Sequence, residues 1–137
     1  LMSEAIAMDP NNGNLYYNLG VVTRDLGDIS LAREYYEKAI ELDPTLENAY
    51  LNLVSLILEG ESLIVEEMNN LGTSRAENAR YDVLKKKRED LYRECIPILV
   101  KIIDIDKNKE AIRTLMNIYG TLGDTDGFKS MKALLEE

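Results

Sequence analysis

Apolar side chains recur at helical spacing along most of this chain. Tyr16, Leu19, Thr23 and Leu26 lie three or four residues apart, which predicts one buried face on a first helix. The segment 26–28 (LGD) then offers a glycine to end that helix and an aspartate to cap the next one. A second stripe predicts a helix that ends before Pro44 and carries Leu31, Ala32, Tyr35, Tyr36, Ala39 and Ile40. Since neither helix can bury its stripe alone, the pattern favours antiparallel pairs that stack on one another.

The same pattern returns at a fixed interval. Residues 5–10 (AIAMDP) match residues 39–44 (AIELDP), and residues 14–19 (NLYYNL) match residues 48–53 (NAYLNL), in both cases with an offset of 34 residues. Between them lie Tyr16, Leu19, Gly20, Ala32, Tyr36, Ala39 and Pro44. This series resembles the tetratricopeptide repeat, although Thr23 stands where that family usually has a tyrosine. The resemblance implies an all-α superhelix (solenoid) of antiparallel helix pairs, with about seven helices in this chain.

The repeat divides the chain into four segments of a single domain, residues 1–137. Residues 1–12 are interpreted as a trailing half-repeat, 13–46 as a full repeat, 47–107 as an interrupted repeat and 108–137 as a degenerate repeat. Because the pattern starts in mid-repeat, we expect the chain to be a fragment of a longer array.

The interruption is an insertion between the two helices of the third repeat. Cys95, Leu99 and Ile102 occupy the positions of Ala32, Tyr36 and Ala39 at an offset of 63 rather than 34, so 29 residues are inserted, around positions 59–93. Ser74 followed by Glu77 is a capping-box pattern. The insertion therefore predicts a helical hairpin with arms at about 46–71 and 75–105, and it resembles hairpin insertions of some bacterial tetratricopeptide proteins. Between the arms we expect Leu63, Ile64, Met68 and Leu71 to face Ala76, Ala79, Val83, Leu84 and Leu91.

Composition removes several classes of function. The chain has 25 acidic and 16 basic residues, a formal charge of −9, no histidine and one cysteine, Cys95. The charge argues against non-specific binding to nucleic acid, and the missing histidines exclude histidine-dependent nucleophilic catalysis and histidine-ligated metals. We assign no catalytic residue, metal ligand or cofactor, and the chain is not expected to be an enzyme. The basic cluster at 85–88 (KKKR) is interpreted as the solvated face of one arm rather than a phosphate site.

Repeated asparagines are the candidate binding residues. Asn14 and Asn18 recur as Asn48 and Asn52, each pair one helical turn apart. In the tetratricopeptide family this face of the first helix lines the concave groove, where an asparagine often holds the backbone of a bound peptide, because an amide both donates and accepts hydrogen bonds. The resemblance extends the same surface to Tyr17, Val21, Leu51, Ser55 and, in the last repeat, Arg113. The alternative is that these amides are merely solvated.

The resemblance implies a non-catalytic scaffold that binds a peptide or protein partner. The alternatives are a self-association module, with a homodimer through exposed terminal helices such as residues 1–8, or an accessory domain of a larger enzyme or secretion complex. No membrane span is predicted, because the longest uncharged apolar stretch, 49–58, is too short. A cytoplasmic and a periplasmic location remain open alternatives.

Overall fold

Six α-helices make up the part of the chain that this computed structural model describes, residues 8–137. In chain order they are α1 (Gly13–Asp25), α2 (Ile29–Leu42), α3 (Glu47–Asn70), α4 (Arg75–Asp106), α5 (Lys109–Leu122) and α6 (Thr125–Glu136). The described residues contain no strand, which confirms the predicted all-α class. The helix expected in the trailing half-repeat falls mainly on residues 1–7, outside the described residues.

The chain divides into two compact units, residues 1–56 and residues 57–137. In the first unit α1 packs along α2, and residues 47–56 of α3 belong to the same unit. In the second unit α5 packs along α6 and against α4.

The core of the first unit follows the predicted repeat positions. Ala32, Tyr36 and Ala39 on α2 are at most 1% exposed. Gly20 on α1 lies directly over the Tyr36 ring, because a Cβ atom at that position would be only 2.7 Å from Tyr36 Cε1. A glycine is therefore required at this crossing if the Tyr36 ring is to stay where it is.

The recurring Leu-Gly-Asp segment makes the same type of turn in both units. Gly27 has a φ of 91° and Gly123 a φ of 78°, values that favour glycine. The following aspartates, Asp28 and Asp124, cap α2 and α6 by accepting backbone N–H bonds from Leu31 and Gly127. The helix end and helix start predicted at residues 26–28 are confirmed.

The two long helices that carry the insertion run without interruption. α3 has 24 residues and continues through Gly60, and α4 has 32 residues and continues through Pro97. Ser74 caps α4 by accepting from the Glu77 N–H, as predicted. The Glu77 carboxylate accepts from the Gly72 N–H at 2.6 Å, which closes the turn between the arms.

Two salt bridges connect the arms in antiparallel register. Arg80 Nε is 2.9 Å from Glu67 Oε1 near the tip, and Arg88 Nε is 3.1 Å from Glu61 Oε1 near the base. The expectation that Arg88 belongs to a solvated basic face is therefore wrong, since its side chain is 30% exposed and paired across the hairpin. The three lysines before it are exposed, as expected.

The expected seam between the arms is only partly right. Leu84 is buried and Ile64, Met68 and Leu71 are half-buried, but Leu63, Val83, Ala76 and Ala79 are all exposed. The physical reason is the helical period: at about 100° per residue, Leu63 points well away from the line through residues 64, 68 and 71. Closer to the base, Cys95, Leu99 and Ile102 are at most 2% exposed.

Candidate peptide-binding site

The predicted binding residues of the first unit lie on one face of α1 and on the first turns of α3. We call this surface the α1–α3 face. Exposed members carry amide or hydroxyl groups: Asn14, Asn18, Asn48 and Ser55. Half-buried members lie between them: Tyr17, Val21, Leu51 and Asn52.

A hydrogen bond joins the two helices of this face at its centre. Asn52 Nδ2 donates to the Tyr17 hydroxyl at 2.9 Å. The Tyr17 ring lies 6.0 Å from the Tyr36 ring, centroid to centroid, at an interplanar angle of 39°. Tyr17 is therefore held from two directions, by an amide of α3 and by the buried ring beneath it.

Arg24 makes a second connection between the helices. Its Nη2 donates to Ser55 Oγ at 3.2 Å, and it also hydrogen-bonds the Tyr36 side chain. Burial raises the pKa of Tyr36, and the bond from Arg24 only partly offsets this effect. Residue-by-residue matching of the repeats misses Arg24, because Leu58 stands 34 residues later. Its spacing of seven from Tyr17 is the signal that places it on the same helix face.

Asn18 and Asn52, which the sequence pattern treats as equivalent, have different surroundings. The half-buried Asn52 side chain donates to the Tyr17 hydroxyl, whereas the exposed Asn18 side chain makes no hydrogen bond to a described residue. The Asn14 and Asn48 side chains are likewise exposed and bond to no described group. The face therefore combines one fixed amide with three amides open to a ligand.

Arg113, the predicted residue of the last repeat, lies on α5 in the second unit. It is exposed, and its Nη1 is 2.6 Å from Glu110 Oε1 on the same helix.

The second unit contains a cleft that the sequence pattern did not predict. It has a volume of about 230 Å³ and is lined by Leu58, Glu61, Tyr92, Thr114, Asn117, Ile118 and Thr121. The Tyr92 hydroxyl donates to Glu61 Oε1, the oxygen that also accepts from Arg88. Burial, and then the Glu61 carboxylate, raise the pKa of Tyr92. No local signal in the sequence distinguishes Glu61, because it is one of four glutamates within residues 57–71.

A larger open hollow of about 600 Å³ follows one side of α3 and is lined by Glu61, Ser62, Val65, Glu66, Asn69 and Asn70. Cys95 is fully buried, as predicted for a core residue. Among residues 8–137, no group of three or more Cys, Asp or Glu side chains is arranged to hold a metal ion. Within the same range, no helix has the length and hydropathy of a membrane span.

Comparison with known proteins places one repeat in a family. The tetratricopeptide repeat family model matches residues 13–46. Two curated relatives, both DnaJ homolog subfamily C member 7, come from Mus musculus and Homo sapiens; each is 30% identical over 122 aligned residues, covering 79% of this chain and 23% of the relative. The chain thus spans less than a quarter of the length of these relatives.

Among solved structures, YrrB, a tetratricopeptide protein with an unusual peptide-binding site, matches with a TM-score of 0.42 and 16% identity, over 98% of this chain and 72% of YrrB. MamA matches with a TM-score of 0.40 and 25% identity, over 98% of this chain and 85% of MamA. The family match rests on the segment in which the repeat pattern is complete, where Ala32, Tyr36 and Ala39 form the core. Residues 13–46 of this chain are a tetratricopeptide repeat.

Proposed function

We propose that this chain is a non-catalytic interaction module that holds an extended peptide segment of a partner protein on the α1–α3 face. Tetratricopeptide-repeat proteins generally serve as scaffolds for protein–protein interaction. The observation that carries the proposal is the bond from Asn52 to Tyr17, which connects two helices that present the exposed amides of Asn14, Asn18 and Asn48 on one surface.

The chemistry of the face suits a peptide backbone. An extended peptide presents N–H and C=O groups alternately, and the open amides of Asn14, Asn18 and Asn48 can each donate and accept. Half-buried Val21 and Leu51 supply apolar surface for the side chains of the ligand. Because the proposed contacts are uncharged, binding is expected to depend only weakly on salt.

Repeat boundaries form part of this proposal. We take residues 47–107 as one repeat whose two helices are lengthened by the insertion, followed by a last repeat at 108–137. The burial of Cys95, Leu99 and Ile102 supports this reading, since these are the residues that the displaced register assigns to the core.

A library of random peptides displayed on phage tests the proposed site. Peptides selected on the wild-type chain are measured against Asn18→Ala, with Asn11→Ala as the matched control, because Asn11 is an exposed asparagine outside α1. Loss of one hydrogen bond worth about 1 kcal/mol weakens binding roughly fivefold, and the control is expected to bind like wild type.

The variant Asn52→Ala adds a structural readout. It removes the partner of the Tyr17 hydroxyl, so we expect both weaker binding and a loss of about 1 kcal/mol of stability. Asn18→Ala, at an exposed position, is expected to keep wild-type stability. If selected peptides bind both variants as tightly as wild type, the α1–α3 face is not the binding site.

A further inference from the structure

The hairpin formed by the end of α3 and the start of α4 buries little of its own surface. Leu84 is the only buried residue in the range 59–91. Two antiparallel helices cover only the seam between them, and apolar side chains on their other sides stay in water unless a further element packs there.

One side of this hairpin carries two large exposed apolar residues. Leu63 on α3 is 72% exposed and Val83 on α4 is 48% exposed. Helical spacing puts Glu67 on the same side as Leu63, and puts Arg80 and Lys87 on the same side as Val83. We call these five residues the hairpin face.

Contacts among the charged residues show that the two halves of the hairpin face adjoin each other. Arg80 Nε and Nη2 lie 2.9 and 3.2 Å from the two carboxylate oxygens of Glu67. The bonds from Arg80, and to a smaller extent the charge of Lys87, lower the pKa of Glu67. Leu63 and Val83 are thus flanked by charges within one surface that both arms contribute.

Charge is distributed unequally between the arms. Residues 57–71, the second part of α3 and the residue after it, contain four glutamates and no lysine or arginine. Residues 75–93 of α4 contain seven basic and four acidic residues. The hairpin face therefore has an acidic half, with Leu63, and a basic half, with Val83.

We propose that the hairpin face binds the hairpin face of a second copy of this chain, with a two-fold axis between the copies. Under that symmetry α3 of each copy lies on α4 of the other, so Leu63 meets Val83 twice and the acidic half meets the basic half twice. A surface that is complementary to itself in both hydropathy and charge needs no other partner. The reverse arrangement, α3 on α3, would bring like charges together.

Sedimentation or light scattering of the whole chain tests this dimer. We expect wild type to dimerise at high micromolar concentration and to dissociate as the ionic strength rises, because the charge contacts are screened. Leu63→Glu and Val83→Lys are each expected to give monomers. An equimolar mixture of the two variants is expected to restore a dimer, since one Leu63–Val83 contact stays intact and the other becomes an ion pair.

Matched controls come from the first unit. Leu26 is 81% exposed and Val22 is 42% exposed, so Leu26→Glu and Val22→Lys make the same chemical changes elsewhere. These controls are expected to dimerise like wild type, and at low concentration, where wild type is monomeric, all four variants should keep the wild-type melting temperature. A monomeric wild type, a dimer that Leu63→Glu and Val83→Lys leave intact, or a mixture that stays monomeric would each overturn the proposal.

Discussion

Replacing Gly20 by alanine tests the packing that supports the candidate site. The added Cβ atom would lie 2.7 and 2.8 Å from Cε1 and Cδ1 of the Tyr36 ring, well inside the 3.5–4.0 Å at which carbon atoms pack comfortably. Tyr36 is 1% exposed, so its ring has little space to move into. Overpacking of this kind costs about 1–3 kcal/mol, while alanine gains about 1 kcal/mol over glycine in a helix.

We therefore expect Gly20→Ala to lose about 1 kcal/mol of unfolding free energy, as the difference of these two effects. Gly60→Ala is the matched control, because it is also inside a helix but its Cβ would lie 3.7 Å from the nearest atom, Leu91 Cδ1. There the helix preference acts alone, and the control is expected to gain about 1 kcal/mol. The same substitution is therefore expected to lower the unfolding free energy at position 20 and to raise it at position 60.

Urea unfolding followed by circular dichroism measures both changes as shifts of the midpoint at constant slope. A second consequence follows for binding: a displaced Tyr36 ring also displaces Tyr17, so peptides selected on wild type should bind Gly20→Ala more weakly. If Gly20→Ala is as stable as Gly60→Ala, the close contact between α1 and Tyr36 does not exist. The position of the Tyr17 ring, which packs on the Tyr36 ring, would then also be wrong.

Three further predictions concern the second unit. Tyr92→Phe should lower the unfolding free energy by about 1 kcal/mol at neutral pH, because Glu61 loses a hydrogen-bond donor. The pKa of Tyr92 is raised above 10.0 in the fold, so the stability that its hydroxyl contributes is present below pH 10.0 and is lost as the pH rises through the raised value. Base titration should therefore destabilise wild type more than the variant. Replacing residues 62–87 with a short turn should leave a chain that still unfolds cooperatively in calorimetry, because the ion pair of Glu61 and Arg88 stays intact. Non-cooperative unfolding would show that the hairpin tip belongs to the core. Ser74→Ala should cost about 1 kcal/mol of local stability at the start of α4, seen as faster amide hydrogen exchange there and nowhere else.

The sequence predicts well those features that a repeated residue type encodes. Ala32, Tyr36 and Ala39 are buried because each faces the neighbouring helix at a spacing of three or four, and the same spacing identifies Cys95, Leu99 and Ile102 after a long insertion. Short apolar stripes and glycine turns are encoded locally, so they can be predicted from a single segment of the chain.

Features that depend on contacts between distant residues were not predictable in this way. The pairing of Arg88 with Glu61 joins positions 27 residues apart, and nothing within the basic run at 85–88 distinguishes Arg88 from its three exposed neighbours except its angle around the helix. The sequence pattern does not predict the role of Arg24 either, because no equivalent residue recurs in the other repeats. A charged side chain is assigned to solvent by default, and only the position of a second helix changes that assignment.

Leu63 and Val83 are exposed although the apolar pattern predicts that they are buried between the arms. Both are apolar, and a pattern that counts apolar residues assigns them to the seam between the arms. A seam between two helices has room for about one residue per turn from each, and on α3 residues 64, 68 and 71 already fill it. An additional apolar residue at position 63 must then face outward, where it remains in water unless a second surface covers it. The surplus of apolar residues over seam positions is therefore a signal in its own right, and it favours a hairpin that associates over one that only projects into solvent.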